Sequence, residues 1–102
     1  MRKLDDYIMQ CLDQADLSVD DMADAMCMSS SSLFRKLKAI IGKNPNEYLR
    51  IKRLKRAAEL LQQGRYGVAD ISLMVGFSSS TYFSSCFKKQ FGISPSEFLD
   101  RG

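Results

Sequence analysis

The chain has 102 residues, 45% of them hydrophobic and 26% charged, with a formal net charge of +3. This size and composition fit one small globular domain and exclude a disordered chain. There is no histidine and no Cys-x-x-Cys pair, which argues against a structural zinc site, and no apolar run approaches membrane-spanning length. The odd, widely spaced Cys11, Cys27 and Cys86 do not predict disulfides, and their apolar neighbours are typical of small core residues.

Charge is distributed unevenly along the chain. Residues 1–27 hold seven acidic and two basic residues, a net of −5, whereas residues 28–102 hold thirteen basic and five acidic residues, a net of +8. The asymmetry favours contact of the larger part with a polyanion; a basic but merely solvated surface is the alternative. The first residues lack an apolar signal-peptide segment, so the sequence predicts a cytoplasmic protein.

The first part of the chain predicts three helices. Apolar residues at helical spacing predict the first over roughly 3–15. Residues 18–21 have capping-box form and begin a short second helix, whose inward residues are Val19, Met22, Ala23 and Met26. The serines of 29–32 offer caps for a third helix that ends at Gly42. Its predicted inward face carries Leu33, Leu37, Ile40 and Ile41.

A long helix is predicted next, from Pro45 to Gln63. Asn44 provides the cap, Glu47 can reach back to it, and Gly64 ends the helix. Three shorter helices follow, marked by Val68, Ile71 and Val75, then by Phe83, Phe87 and Phe91, and finally by Phe98 and Leu99. No segment alternates like a strand, so the sequence predicts an all-α fold.

The second half of the chain repeats the first. Residues 19–29 recur 49 positions later, where Val19, Met22, Met26 and Ser29 become Val68, Ile71, Val75 and Ser78. Beyond the serines the offset is 50, so Leu33, Leu37, Lys38, Gly42 and Pro45 become Phe83, Phe87, Lys88, Gly92 and Pro95. Each copy follows the helix-turn-helix plan. The sequence therefore predicts a seven-helix bundle over 1–102, with helix-turn-helix subdomains at 3–43 and 66–100 and a linker helix at 44–64.

Both longer helices of the repeat expose small polar residues near the N-terminus and basic residues beyond them. The inward apolar positions leave outward Ser31, Ser32, Arg35, Lys36 and Lys38 in one, and Ser80, Thr81, Ser84, Ser85, Lys88 and Lys89 in the other. Small side chains let a helix approach base edges in the major groove of DNA. Arg35 is the leading base reader because arginine pairs bidentately with guanine, whereas Ser29 and Ser78 are predicted to cap helices or contact phosphates.

The linker helix is basic and about 28 Å long at about 1.5 Å per residue. One turn of DNA spans about 34 Å, so this helix could hold the two reading helices in successive major grooves. Its basic residues surround the helix, and Arg50 is the one predicted to contact the DNA backbone. Arg53 has a second interpretation, an internal ion pair with Asp70.

Several separated motifs resemble the AraC/XylS family of bacterial transcription regulators. They are DISLMVGFS at 70–78, Tyr82-Phe83, FKK at 87–89 and GISP at 92–95, together with PNEYL at 45–49 and RLKRAAELL at 53–61. RKLK at 35–38, NPNE at 44–47 and CFKKQFG at 86–92 also resemble the C-terminal domains of hybrid two-component regulators from Bacteroides-type bacteria.

The resemblance implies seven helices in two subdomains and base-facing positions on both reading helices. By motif these positions are Ser31, Phe34 and Arg35, then Ser80, Thr81, Tyr82, Ser84 and Ser85. Phosphate contacts are implied near Ser29, Lys38, Ser78, Lys88 and Lys89. The outward Lys36 is a further candidate for contact with the DNA backbone. Ser85 stands where many members carry arginine, which weakens direct base readout, and Ser72 replaces a common alanine, which could loosen packing.

Sequence-specific binding of double-stranded DNA for transcription regulation is the leading hypothesis, without cofactor or metal. RNA polymerase is a further candidate partner, and a sensor or receiver domain is expected outside this chain. An enzyme is not predicted, because no histidine base, nucleophile elbow or phosphate loop is present. A protein-interaction module using the acidic first helix and Met22, Met26 and Met28 is the alternative; duplex RNA fits less well because its major groove is narrow.

Overall fold

The computed structural model describes residues 2–101, and the side chains of 3–100. Over that range the chain forms seven α-helices and no strand, so the all-α prediction is confirmed. The helices are α1 (Arg2–Cys11), α2 (Val19–Ala25), α3 (Ser30–Ile41), α4 (Pro45–Gln63), α5 (Val68–Met74), α6 (Ser80–Phe91) and α7 (Pro95–Arg101). They fill an elongated envelope of 42 × 22 × 22 Å.

The long helix α4 organises the molecule. It packs against α1 and α3 of the first helix group, which comprises α1 to α3, and against α5, α6 and α7, which form the second helix group. Its residues Leu54, Ala57 and Leu61 are almost completely buried. One continuous core therefore runs through both groups, and its largest fully buried side chains include Leu4, Ile8, Met22, Leu33, Leu37, Ile71, Phe83 and Phe87.

Local capping fixes most helix starts as predicted. The hydroxyl of Ser18 accepts from the backbone N–H of Asp21 at 3.2 Å and completes a capping box. The side chain of Asn44 accepts from the N–H of Glu47 at 2.9 Å, and α4 ends at Gly64 in the left-handed conformation. The predicted bounds of α4, Pro45 to Gln63, are confirmed.

The predicted capping role of Ser78 is wrong. Ser79 caps α6, because its hydroxyl accepts from the N–H of Tyr82 at 3.2 Å, whereas Ser29 does cap α3. The extra residue in the second copy's turn moves the cap one position along the chain. Phosphate contact stays as the prediction for Ser78.

Helix α1 ends at Cys11 rather than near 15. Two backbone carbonyls that follow α1 accept hydrogen bonds from a side chain of α4. The guanidinium of Arg53 donates from Nε to the Leu12 carbonyl at 3.1 Å and from Nη2 to the Gln14 carbonyl at 2.7 Å. The proposed pair of Arg53 with Asp70 is therefore wrong: Arg53 holds the loop after α1, and Asp70 is exposed.

The last turns of the two longer repeat helices are less buried than their spacing predicted. Ile40 is 58% exposed, Ile41 is 37% exposed, and Phe91 at the end of α6 is 36% exposed. The seven residues of α2 span about 10 Å, whereas the twelve of α3 span about 18 Å. A short helix cannot cover the last turn of a longer partner, so these side chains reach solvent.

The three cysteines are not fully buried, although the sequence predicted them to be small core residues. Cys11 and Cys86 are half-buried, but Cys27 is exposed. Cys27 lies in the turn between α2 and α3 and has a φ of 58°. A residue in this left-handed conformation directs the chain into the next helix, so the turn rather than the core sets its environment.

Helix α1 is attached to α4 by polar contacts around Asp5. The hydroxyl of Tyr48, which is buried, donates to the Asp5 carboxylate, and the ammonium of Lys52 lies 3.5 Å from the same oxygen. Burial, the hydrogen bond to Asp5 and the negative charge of that carboxylate raise the pKa of Tyr48. Among the residues that the structure describes, no helix is both long and apolar enough to cross a bilayer.

Candidate nucleic-acid interface

Helix α3 exposes a stripe of polar and basic side chains opposite its buried face. Leu33 and Leu37 are almost completely buried. Helical geometry puts Ser31, Arg35 and Lys38 at spacings of four and three residues on the opposite face, and all three are exposed. Phe34 lies on one flank of this stripe at 47% exposure, and Lys36 lies on the other flank. The predicted readers of the first copy therefore share one surface.

Most serine hydroxyls at the start of α3 are engaged within the protein. Ser29 accepts from the Ser32 N–H at 3.1 Å and donates to the Ser32 hydroxyl at 2.9 Å. Ser30 donates its hydroxyl proton to the carboxylate of Asp20 on α2. The hydroxyl of Ser31 makes no hydrogen bond to another described group, so Ser31 is the serine best placed to meet a ligand.

Helix α6 presents the equivalent stripe through Thr81, Ser85 and Lys88. These positions lie 50 residues after Ser31, Arg35 and Lys38, and all three side chains are exposed. They lie opposite the buried rings of Phe83 and Phe87. Ser80 and Ser84 lie nearer to the buried side by helical geometry, and Ser84 is half-buried. Lys89 lies beside the stripe.

A cleft between α4 and the second helix-turn-helix brings other predicted residues together. Arg50 lines it together with Ser78 and Tyr82. Arg50 and Tyr82 also line the adjoining cleft, with Ser85 and Lys89 of α6 and with Lys43 before α4. Tyr82 is 54% exposed and its ring lies 5.9 Å from that of Phe77. The adjoining cleft thus carries three cations and one acid, Glu47, and this net positive lining suits an anionic backbone.

The remaining basic residues of α4 mostly have internal roles. Lys52 pairs with Asp5, Arg56 lies 3.3 Å from Glu59, and Arg53 holds the loop carbonyls. Burial lowers the pKa of Arg53, but an arginine keeps its charge at physiological pH. Arg50 is therefore the cation of α4 that faces the second helix-turn-helix without such an internal partner among the described residues. Within residues 3–100 the cations on α3, α6 and at Arg50 form no ion pair.

The acidic residues lie mainly on α1, on α2 and in the loop between them. Asp20 of α2 reaches beyond this region, because its bond to Ser30 places a carboxylate at the first turn of α3. Sequence reasoning missed this contact, and it also missed Lys43 and the position of Val19 beside Phe34. Each of these three features depends on how two helices pack, and the offset of the repeat was the only signal in the sequence that indicated this packing. In the described part of the chain, no cluster of acids and cysteines is arranged to hold a metal ion.

Comparison with known proteins places these features in a family. The family described as "Helix-turn-helix domain" matches residues 22–101. Relatives include "Histidine kinase P4" of Formosa agariphila, 45% identical over 74 residues, which covers 72% of this chain and 5% of that protein. They also include "HTH-type transcriptional regulator MtrA" of Neisseria gonorrhoeae, 34% identical over 85 residues, 83% of this chain and 28% of the relative. This chain thus spans a small part of both relatives.

A solved structure agrees with this result. The C-terminal domain of AraT, a response regulator from Geobacillus stearothermophilus, superposes with a TM-score of 0.88 and 31% identity. The match covers 99% of this chain and 84% of that one. The seven-helix arrangement with two helix-turn-helix units is therefore shared with this domain.

Proposed function

Because the chain belongs to the AraC/XylS family of helix-turn-helix domains, we propose that it binds double-stranded DNA sequence-specifically and regulates transcription. Helices α3 and α6 enter successive major grooves on one face of the duplex. The residues of α3 that contact bases are Ser31, Phe34 and Arg35. Those of α6 are Thr81, Tyr82 and Ser85, and the edge of that surface is formed by Ser80 and Ser84. The DNA phosphates are neutralised by the basic residues Lys36, Lys38, Arg50, Lys88 and Lys89. Ser29 and Ser78 also contact phosphates, through their hydroxyls.

One observation carries this proposal: two equivalent exposed stripes lie on matching helices of a repeat. Ser31, Arg35 and Lys38 correspond in position to Thr81, Ser85 and Lys88. The helix that separates them has 19 residues, or about 28 Å, close to one turn of DNA. A repeated reading surface at that spacing suits one duplex face better than it suits a protein partner.

The proposal extends to the context of the domain. Its subdomains are 3–43 and 66–100, with 44–64 as the connecting helix. The kinship with a much longer histidine kinase and with a response-regulator domain supports an output domain of a hybrid two-component regulator in the cytoplasm. A sensor or receiver domain then lies elsewhere in the protein, RNA polymerase is a partner, and the domain itself is not an enzyme.

Selection from a pool of random duplexes tests the proposed function. We expect one enriched site with two half-sites about one helical turn apart. Affinity for it should fall steeply with salt, since each neutralised phosphate releases counterions. Failure to enrich any sequence, or affinity that is insensitive to salt, would overturn the proposal.

Two variants separate base reading from backbone contact. Arg35→Ala should lose about 1–3 kcal/mol of discrimination at one base pair of the first half-site. Lys88→Ala should weaken binding to all sequences similarly and reduce the salt dependence by about one counterion. Equal effects of the two variants on specific and random DNA would contradict the assigned roles.

A further inference from the structure

An apolar cleft lies at the N-terminal end of α3, beside the stripe of predicted readers. Val19 of α2 and Phe34 of α3 line it, and Ser30, Ser31 and Arg35 border it. Phe34 leaves 47% of its surface exposed and Val19 is half-buried. An exposed aromatic ring and a half-buried valine among polar and basic neighbours offer an apolar contact beside the stripe of predicted readers.

The cleft is held in shape by a specific side-chain contact. The hydroxyl of Ser30 donates to the Asp20 carboxylate, which ties the first turn of α3 to the first turn of α2. Val19 precedes Asp20 on α2, and Phe34 lies one turn after Ser30 on the same side of α3. The bond therefore keeps the valine beside the phenylalanine before any ligand arrives.

The groups around the cleft limit what can enter it. The hydroxyls of Ser29, Ser30 and Ser32 already have partners within the protein. A ligand would therefore meet the Phe34 ring and the Val19 methyl groups, with Ser31 and Arg35 as the polar neighbours. The matching ligand is a small apolar group attached to a polar, planar edge. In the major groove of DNA, the 5-methyl group of thymine meets this description.

We propose that the Val19–Phe34 cleft receives the 5-methyl group of a thymine, close in the sequence to the guanine that Arg35 contacts. The inference rests on the proposed function and names the chemistry that part of the site reads. Val19 and Phe34 are then specificity-determining residues, and Asp20 is a positioning residue that acts through Ser30.

The second copy of the repeat lacks this cleft. Val68 corresponds to Val19, but Ala69 stands in place of Asp20 and Ser84 in place of Phe34. Without the carboxylate and the aromatic ring, neither the tie between the helices nor the apolar wall can form. The apolar cleft is therefore confined to the copy that contains α3, so a methyl effect that depends on Phe34 is expected only in the half-site that α3 contacts.

The test replaces each thymine of the selected site by deoxyuridine, one at a time, and measures binding by fluorescence anisotropy. Deoxyuridine lacks only the methyl group and keeps the base pair. We expect one substitution in the α3 half-site to weaken binding about fourfold, the effect of burying one such carbon group, and we expect this effect to depend on Phe34. 5-Methylcytosine at the same position should bind more tightly than cytosine.

Phe34→Ala should abolish the difference between thymine and deoxyuridine while Arg35 still selects its guanine. The matched control is Ile40→Ala, which removes another exposed apolar side chain of α3 distant from the cleft; it should leave the difference unchanged. Sequence-selective binding with equal affinity for thymine and deoxyuridine at every position overturns this inference alone. A lack of any sequence-selective binding overturns it together with the proposed function.

Discussion

Arg53 and Gly76 meet at the contact between the two helix groups. A Cβ atom on Gly76 would lie 2.8 Å from Nε of Arg53 and would overlap the Leu12 carbonyl oxygen. The same Nε donates to that carbonyl at 3.1 Å. The turn between α5 and α6, the linker helix and the loop after α1 are thus packed against one another at a single point, which only glycine permits.

Gly76→Ala is expected to lower the free energy of unfolding by about 3 kcal/mol. The substitution adds the strain of a left-handed residue, with φ of 88°, to overlap with backbone and with Arg53. Gly64→Ala is the control, because its φ is 69° but its added Cβ would meet nothing within 4 Å. It should cost only about 1–2 kcal/mol by urea denaturation. Equal losses would show that Arg53 and Leu12 move aside easily.

Arg53→Met is expected to destabilise the fold by about 2 kcal/mol, since the Leu12 and Gln14 carbonyls, the first of them in a part-buried contact, lose a charged donor. Lys55→Met, a change of an exposed residue on the same helix, should alter stability by less than about 0.5 kcal/mol. Thermal and urea unfolding measure both. A loss of DNA affinity in Arg53→Met without a loss of stability would instead assign Arg53 to the DNA backbone.

Tyr48→Phe should lower stability at pH 7 by about 1 kcal/mol, the worth of its hydrogen bond to Asp5. Since the pKa of Tyr48 is raised in the folded protein, its contribution is present below the ordinary tyrosine pKa of about 10 and is lost as the pH rises above it. The stability difference between wild type and Tyr48→Phe should therefore shrink above about pH 10. A stability difference that stays constant across this pH range would contradict the raised pKa of Tyr48.

Cys27→Gly is expected to stabilise the protein by about 1 kcal/mol. Cys27 has a φ of 58° at the position where the second copy has Gly76, and glycine adopts this conformation without strain. Cys27→Ala is the control, because it removes the thiol but keeps the Cβ; it should leave the urea midpoint close to that of the wild type. If both variants were equally stabilised, the thiol rather than the backbone would be responsible.

Ser85→Arg should add a guanine preference of about 1–3 kcal/mol to the second half-site. Ser85 is exposed and occupies the position on α6 that Arg35 occupies on α3. Repeating the duplex selection with this variant would reveal the new preference. An unchanged selected site would mean that α6 does not approach base edges at this position.

Much of the fold could be predicted from local signals in the chain. The bounds of α4, the capping box at Ser18 and the cap at Ser29 each depend on contacts three residues apart, which a sequence shows directly. The repeat likewise indicated equivalent exposed stripes on α3 and α6. Where the second turn gained one residue, the same reasoning placed the cap at Ser78 instead of Ser79.

The sequence by itself thus determined the helices, the repeat and the candidate readers, because spacing and capping are local properties of the chain. Only the tertiary structure decided that Arg53 holds the Leu12 and Gln14 carbonyls, and that Asp20 and Ser30 bring Val19 beside Phe34. It also decided that Ile40 reaches solvent, since α2 is too short to cover it. These contacts depend on helix lengths and packing between residues distant in the chain, and no local pattern contains that information.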